Sequence, residues 1–173
     1  SAASDVYKRQ GLIPALFMDF DPLSTAEKIG GPRVTQYSIF LSNKVGALMS
    51  IVTLLNINNI QVVAISIQDS ADTAIVRLVV SDPDLVQGVF RDHDIAYAAC
   101  ELVVVELVEG ATGFGEVLSA LLSADVNIFG SYALMTRPRG RTALALHVED
   151  NECATSILAS HGFTILGQTD ISR

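Results

Sequence analysis

At 173 residues, half of them apolar and with a formal net charge of −8, the chain can form one ordinary domain or two small ones, and its sign opposes phosphate-backbone binding. No uninterrupted apolar run approaches the roughly 18–20 residues of a membrane-spanning helix, so the hydrophobicity is expected in sheets and interfaces. Cys100 and Cys153 stand far apart in apolar surroundings, outside any CxxC or Cys/His ligand spacing. They read as two buried thiols in a reducing cytoplasm, and nothing implies a metal or other cofactor.

Residues 1–10 (SAASDVYKRQ) resemble the in-frame translation of a sequencing adapter, with Met18 as a candidate natural start. Residues 1–33 are therefore read as an artefactual or disordered N-terminal segment and excluded from fold reasoning. Val34 to Leu41 (VTQYSIFL) is rich in strand formers and runs into Ser42-Asn43-Lys44-Val45-Gly46, a polar turn ending in glycine. From Ala47 the apolar residues Leu48, Ile51, Val52 and Leu55 fall three and four apart, which predicts a helix with one buried face, stopped by Asn58-Asn59. Ile60 to Gln68, a turn at Asp69-Ser70-Ala71-Asp72, and Thr73 to Val80 then read as a β-hairpin. Ser81-Asp82-Pro83 supplies an N-cap and a first-turn proline to a second amphipathic helix that buries Leu85, Val86, Val89 and Phe90 and closes at His93-Asp94. A strand beginning at Ile95 completes the order βαββαβ.

The order then repeats. Glu101 to Val108 is a strand, Glu109-Gly110-Ala111-Thr112-Gly113 a loop, and the next helix is expected to bury Phe114, Val117, Leu118, Leu121 and Leu122. Strands at Val126 to Met135 and Arg141 to Val148 come next, then an Asp150-capped helix burying Cys153, Ala154, Ile157 and Leu158, and a last strand from Phe163 to Thr169. Local matches support a true repeat: Ile60-Gln61-Val62 recurs as Val126-Asn127-Ile128, and Val80-Ser81-Asp82 to His93-Asp94-Ile95 recurs as Val148-Glu149-Asp150 to His161-Gly162-Phe163. The expected fold is α+β: two ferredoxin-like units, residues 34–100 and 101–173, with antiparallel sheets and helices on one face. Almost no linker separates them. Leu102-Val103-Val104-Val105 and Val62-Val63-Ala64-Ile65 are apolar at consecutive positions, so a second sheet should cover the other face. A partner subunit is the simplest cover, which predicts a homodimer.

Fold alone assigns no function. An RNA-binding module of this topology would carry aromatic residues on a central strand, and Thr73 to Val80 has none; a metal carrier would need a CxxC loop. An enzyme would need convergent acid, base or nucleophile, whereas His93 and His161 sit at equivalent helix ends, where imidazole meets the negative end of the helix dipole. His147 belongs to the polar or interface face of its strand. No catalytic residue is assigned. Arg137-Pro138-Arg139-Gly140-Arg141 reads as a solvated turn, with docking of an acidic partner as the alternative. The loop after the first strand remains: Asn43-Lys44-Val45-Gly46-Ala47-Leu48 puts a glycine and free backbone N–H groups at a helix start, a ready site for a carboxylate. On spacing alone, Asn43 capping the helix and Gly46 turning the chain is the preferred account of it.

Strand, then Asn43-Lys44-Val45-Gly46-Ala47-Leu48, then helix, then Ile60-Gln61-Val62, resembles the ACT domain, a small amino-acid-sensing module attached to many enzymes of amino-acid metabolism. The family loop is often Asn/Asp-x-Pro-Gly-x-Leu; here Val45 replaces the proline. The second copy departs further, with Glu109-Gly110-Ala111-Thr112-Gly113-Phe114-Gly115. The resemblance implies an amino acid bound between two copies: amides near Val45, Gly46 and Ala47, with Asn43, hold the α-carboxylate, and Asn127-Ile128 faces them from the other unit. Gln61 takes the corresponding part in a reversed second site, where Glu109 could neutralise an ammonium. It implies, further, a cytoplasmic regulatory protein, not an enzyme, that binds an amino acid and acts on a regulated enzyme, with neither nucleic acid nor membrane as partner. The alternatives are a subunit resembling the small subunit of acetolactate synthase, or a ligand-free dimerisation module.

Overall fold

The computed structural model describes residues 32–42, 44–70 and 73–172, so the N-terminal segment, Asn43 and positions 71–72 lie outside the described residues. Strands β1 (Val34–Ser42), β2 (Val62–Ser70), β3 (Thr73–Val80) and β4 (Tyr97–Leu107) with helices α1 (Ala47–Ile57) and α2 (Pro83–Asp92) form the first βαββαβ unit. The second uses β4 again, followed by α3 (Ala111–Ser123), β5 (Ile128–Ala133), β6 (Thr142–Val148), α4 (Asn151–Ser160), β7 (Ile165–Leu166) and a short α5 (Gln168–Ile171). The caps are those the sequence predicts. Asp82 accepts from Leu85 N at 2.9 Å, and Asp150 accepts from Glu152 N and Cys153 N at 3.0 and 2.9 Å. His93 and His161 place Nδ1 at 3.0 and 2.8 Å from the carbonyls of Val89 and Ile157, at the C-caps of α2 and α4.

All strand pairs are antiparallel, in the order β2-β3-β1-β4-β6-β5, with β7 also on β4. One strand joins both units: Tyr97 to Leu102 pair with β1, and Val103 to Leu107 pair with β6. The same edge of β4 that receives β1 up to Val34 opposite Leu102 receives β7 at Val104 and Val105. That shared edge explains why the last strand is two residues and not the seven expected from Phe163 to Thr169. β1 already occupies the remainder, and the chain turns into α5, where Gln168 N donates to the Arg33 carbonyl at 3.2 Å.

Alternation along each strand sorts the core into three parts. Tyr37, Ile39, Val76 and Leu78 face α1 and α2, and Val103, Val105, Leu144 and Leu146 face α3 and α4. Opposite-parity residues, among them Val34, Val79, Leu102, Val104, Ala143 and Ala145, pack between the two halves of the curled sheet. The cover for the second face, expected from a partner subunit, therefore comes from the chain's own second half. The curl brings the two outer strands together, where Met135 N donates to the Val63 carbonyl at 2.8 Å.

Three burial expectations need correction. Phe114, Leu118 and Leu122 lie toward solvent, the last 78 % exposed, because Val117, Ala120 and Leu121 fill the face of α3 that meets the sheet. Leu85 is likewise exposed, on the rim of α2. Cys153 is exposed in the first turn of α4, and Cys100 is only half-buried, on the inner face of β4.

Candidate functional site

The predicted loop is built by backbone. Gly46 takes φ 90°, a conformation costly for any residue with a Cβ, and starts α1 without a side-chain cap. Ala47 N closes a turn on the Lys44 carbonyl at 3.2 Å, while Ser50 bonds back to the Gly46 carbonyl through N at 3.0 Å and Oγ at 3.1 Å. Ala47's amide is thus engaged, and among the described residues no side chain caps the donors deeper in the first turn, Leu48 and Met49. Gly110 plays the equivalent part before α3, with φ 59° and no side-chain cap. Lys44, Val45 and Gly46 are exposed and Leu48 half-buried.

Gln61 and Asn127 occupy matching positions: the Gln61 carbonyl accepts from Ser81 N at 2.9 Å and the Asn127 carbonyl from Glu149 N at 3.0 Å. Both are exposed, and Ile128 is partly buried at the start of β5. No hydrogen bond joins Lys44 to Leu48 with Gln61, Asn127 or Ile128 among the described residues. Ser42 pairs with Thr73 at one end of the first sheet, whereas Val62 pairs with Val80 at the other. Nine strand residues separate the loop from Gln61, about 27–30 Å at roughly 3.3 Å each. The loop and Gln61 therefore lie at opposite ends of the first sheet.

A second constellation, missed by sequence reasoning, lies between the two halves of the sheet. A cavity of about 230 Å³ is lined from the first unit by Gln36, Ser66, Gln68 and Arg77 and from the second by Phe129, Tyr132 and His147, among others. Gln36, 1 % exposed, crosses the gap: its Oε1 accepts from Tyr132 Oη at 2.7 Å, and its Nε2 donates to Ser38 Oγ at 3.4 Å and Cys100 Sγ at 3.2 Å. Arg77 donates to Gln68 Oε1 at 3.1 Å. Burial, with the nearby Cys100, pushes the Tyr132 phenol far above its ordinary range, so it stays a donor. Burial likewise raises the Cys100 thiol, and burial together with the Arg77 charge lowers His147. His147 lies edge-on to Phe129 at 5.3 Å between ring centroids.

The bulges sharpen the asymmetry between the repeats. β2 is irregular between Val62 and Ala64, and β5 between Ile128 and Gly130, so Val63 and Phe129 are equivalent extra residues. Val63 is buried and holds Met135, while Phe129 is 59 % exposed at the cavity mouth. The available signal was Gln36 and Arg77, large polar residues on the same strand faces as the buried Val34 and Val79.

The arginine-rich turn is used internally. Arg139 Nη2 bonds Asp170 Oδ1 at 2.7 Å, and Arg141 Nη1 bonds the buried Glu106 Oε1 at 2.6 Å. Both guanidinium groups remain exposed, so the turn is solvated as expected while two of its three arginines pair with the chain's own carboxylates. A larger cavity, about 670 Å³, is lined by Glu101, Asp125, Glu149, Asp150 and Glu152 with Arg33, a field that repels carboxylates. Among the described residues no cluster of His, Cys, Asp and Glu could hold a metal, and no helix is long and apolar enough to cross a membrane.

Protein BT0572 from Bacteroides thetaiotaomicron is similar in structure, with a TM-score of 0.74 and 25% identity over 82% of this chain and 96% of that one. The regulatory subunit of aspartate kinase from Thermus thermophilus, in its ligand-free form, gives a TM-score of 0.52 at 16% identity over 75% and 92%. The latter likeness concerns the fold alone. No curated protein matches the chain significantly. The family described as an ACT domain pair matches residues 33–172, both repeats and the strand that joins them, and the chain belongs to that family.

Proposed function

We propose that this ACT domain pair is a regulatory protein, not a catalyst, that senses an amino acid at the interface between its two units. The observation that carries the reading is the start of α1: a positive-φ glycine, exposed Lys44 and Val45, and a first helical turn that no side chain caps among the described residues. In the proposed site the loop from Asn43 and Lys44 through Val45, Gly46 and Ala47 encloses the α-carboxylate, which is received by Asn43 and by first-turn amides not engaged in the turn, such as that of Leu48, and Asn127 with Ile128 meets the ligand from the second unit. Gln61 faces the second loop in a reversed, weaker site. Occupancy shifts the protein only by the difference in affinity between its interdomain arrangements.

A thermal-shift series of the full chain against the twenty amino acids tests this. One or a few should raise the melting temperature, and Asn127→Ala should remove that shift while leaving the ligand-free melting temperature in place. Stabilisation by none of them would refute the sensor and leave a ligand-free dimerisation module. A second reading, a regulatory subunit held on a separate enzyme, is favoured by the exposed apolar strip Phe114-Leu118-Leu122 on α3. Co-purification of a stoichiometric catalytic chain from the source cells selects that reading.

A further inference from the structure

We infer that the polar end of the space between the two half-sheets binds a small monocarboxylate, with the Arg77 guanidinium as its counter-ion. This does not depend on the loop reading. Arg77 sits on β3 with Ser38 and Ser66 as its cross-strand neighbours. Neither is large enough to cover it or charged to neutralise it. Among the described residues its side-chain bond goes to neutral Gln68, whereas Arg33, Arg139 and Arg141 each hold a carboxylate. Among those residues, too, no Asp or Glu lines the cavity, in a chain whose net charge is −8. A half-buried guanidinium that pairs with no carboxylate among the described residues, at a cavity wall that offers serine, glutamine and imidazole, favours an incoming negative group.

The same walls narrow the class. An ammonium would find no carboxylate there, so an α-amino acid gains less than the acid without its amino group. A phosphate near two negative charges would meet one cationic side chain. About 230 Å³ is below the roughly 300–1,000 Å³ of pockets for drug-sized ligands, which limits the guest to a few heavy atoms. Phe129, the extra residue of the β5 bulge and in contact with His147, provides the apolar surface at the mouth.

Propionate, alanine and inorganic phosphate are suitable probes, titrated into the full chain and followed by ¹⁵N–¹H NMR. Propionate should shift the Arg77 Nε–Hε signal and the amides of Gln68 and Tyr132 saturably, and alanine should leave them unmoved at concentrations where propionate saturates. Arg77→Gln should weaken propionate by about tenfold or more, the worth of a charge-assisted pair. Ser66→Asp places a carboxylate opposite Arg77, keeps the fold by pairing with it, and should abolish propionate binding. Propionate that moves none of these signals, binds either variant as tightly as the parent, or is outcompeted by phosphate overturns the proposal. Asn127→Ala should leave propionate affinity unchanged, and Ser66→Asp should leave the amino-acid thermal shift unchanged. Failure of one site is thereby separable from failure of the other.

Discussion

Gln36 and Tyr132 come from different repeats and meet in a buried side-chain bond across the inter-sheet gap. Removing either partner leaves the other's polar atom dry. Tyr132→Phe should therefore cost about 1–2 kcal/mol and Gln36→Leu about 1–3 kcal/mol, with a double mutant less damaging than the sum. Urea denaturation of the four proteins reads that coupling, and strict additivity would show that the bond contributes nothing. His147 makes a pH prediction on the same surface. Its folded-state value is lowered, first by burial and then by Arg77, so the unfolded chain holds the proton more tightly. Stability should fall as pH drops below about 6.5 and level off once pH passes the lowered folded value. His147→Asn should flatten that segment of the stability profile below about pH 6.5 and leave the carboxylate-driven acid limb in place.

At the scale of elements, Asp150 is a compact test of the helix-end rules, since one carboxylate oxygen accepts from two amides of α4. Asp150→Ala should destabilise by about 0.5–2 kcal/mol, measured by thermal or urea unfolding, and a change within error would mean that water replaces the cap. Such local chemistry was the legible part of the chain. Asp82, Asp150, His93, His161 and the Asn58 stop announce their elements through side chains that bond their own backbone, and periods of two and 3.6 sort Tyr37 and Ile39 from Gln36. What depends on which neighbour arrives was not legible. The Phe163 to Thr169 run is strand-like throughout, yet β1 takes its place on β4 after two residues. The apolar arc of α3 is wider than the sheet beneath it, so Val117 and Leu121 are buried and Leu122 is not. The inter-sheet cavity needs Arg77 and Phe129, 52 positions apart, to meet, and periodicity within either strand contains no information about that meeting.

For the whole molecule, consecutive apolar residues on β4 and β2 correctly implied two covered faces, but the second cover is internal. A homodimer then needs a surface other than that inner face, and α3 offers one. Phe114, Leu118 and Leu122 lie four apart along one face of α3 and form its exposed strip. If that strip mediates self-association, Leu118→Glu should convert a dimer to a monomer in sedimentation velocity with an unchanged circular dichroism spectrum. A monomeric parent protein would instead reserve the strip for a different partner. The shared strand makes a further demand: because β4 belongs to both units, calorimetry should show one transition with equal calorimetric and van't Hoff enthalpies, and two resolved transitions would contradict it.

The contact between Met135 and Val63 gives this architecture a spine and a clasp. On one side the halves are continuous through β4; on the other they meet where a backbone hydrogen bond bridges β2 and the segment that leaves β5. Any guest that enters between them is gained or lost by gaping at that side, since parting the spine would break two ladders at once. The Met135 amide is thus a built-in reporter. Its hydrogen-exchange rate should follow the opening of the clasp, slow when a guest holds the halves shut, and run ahead of exchange along β4 whenever they part.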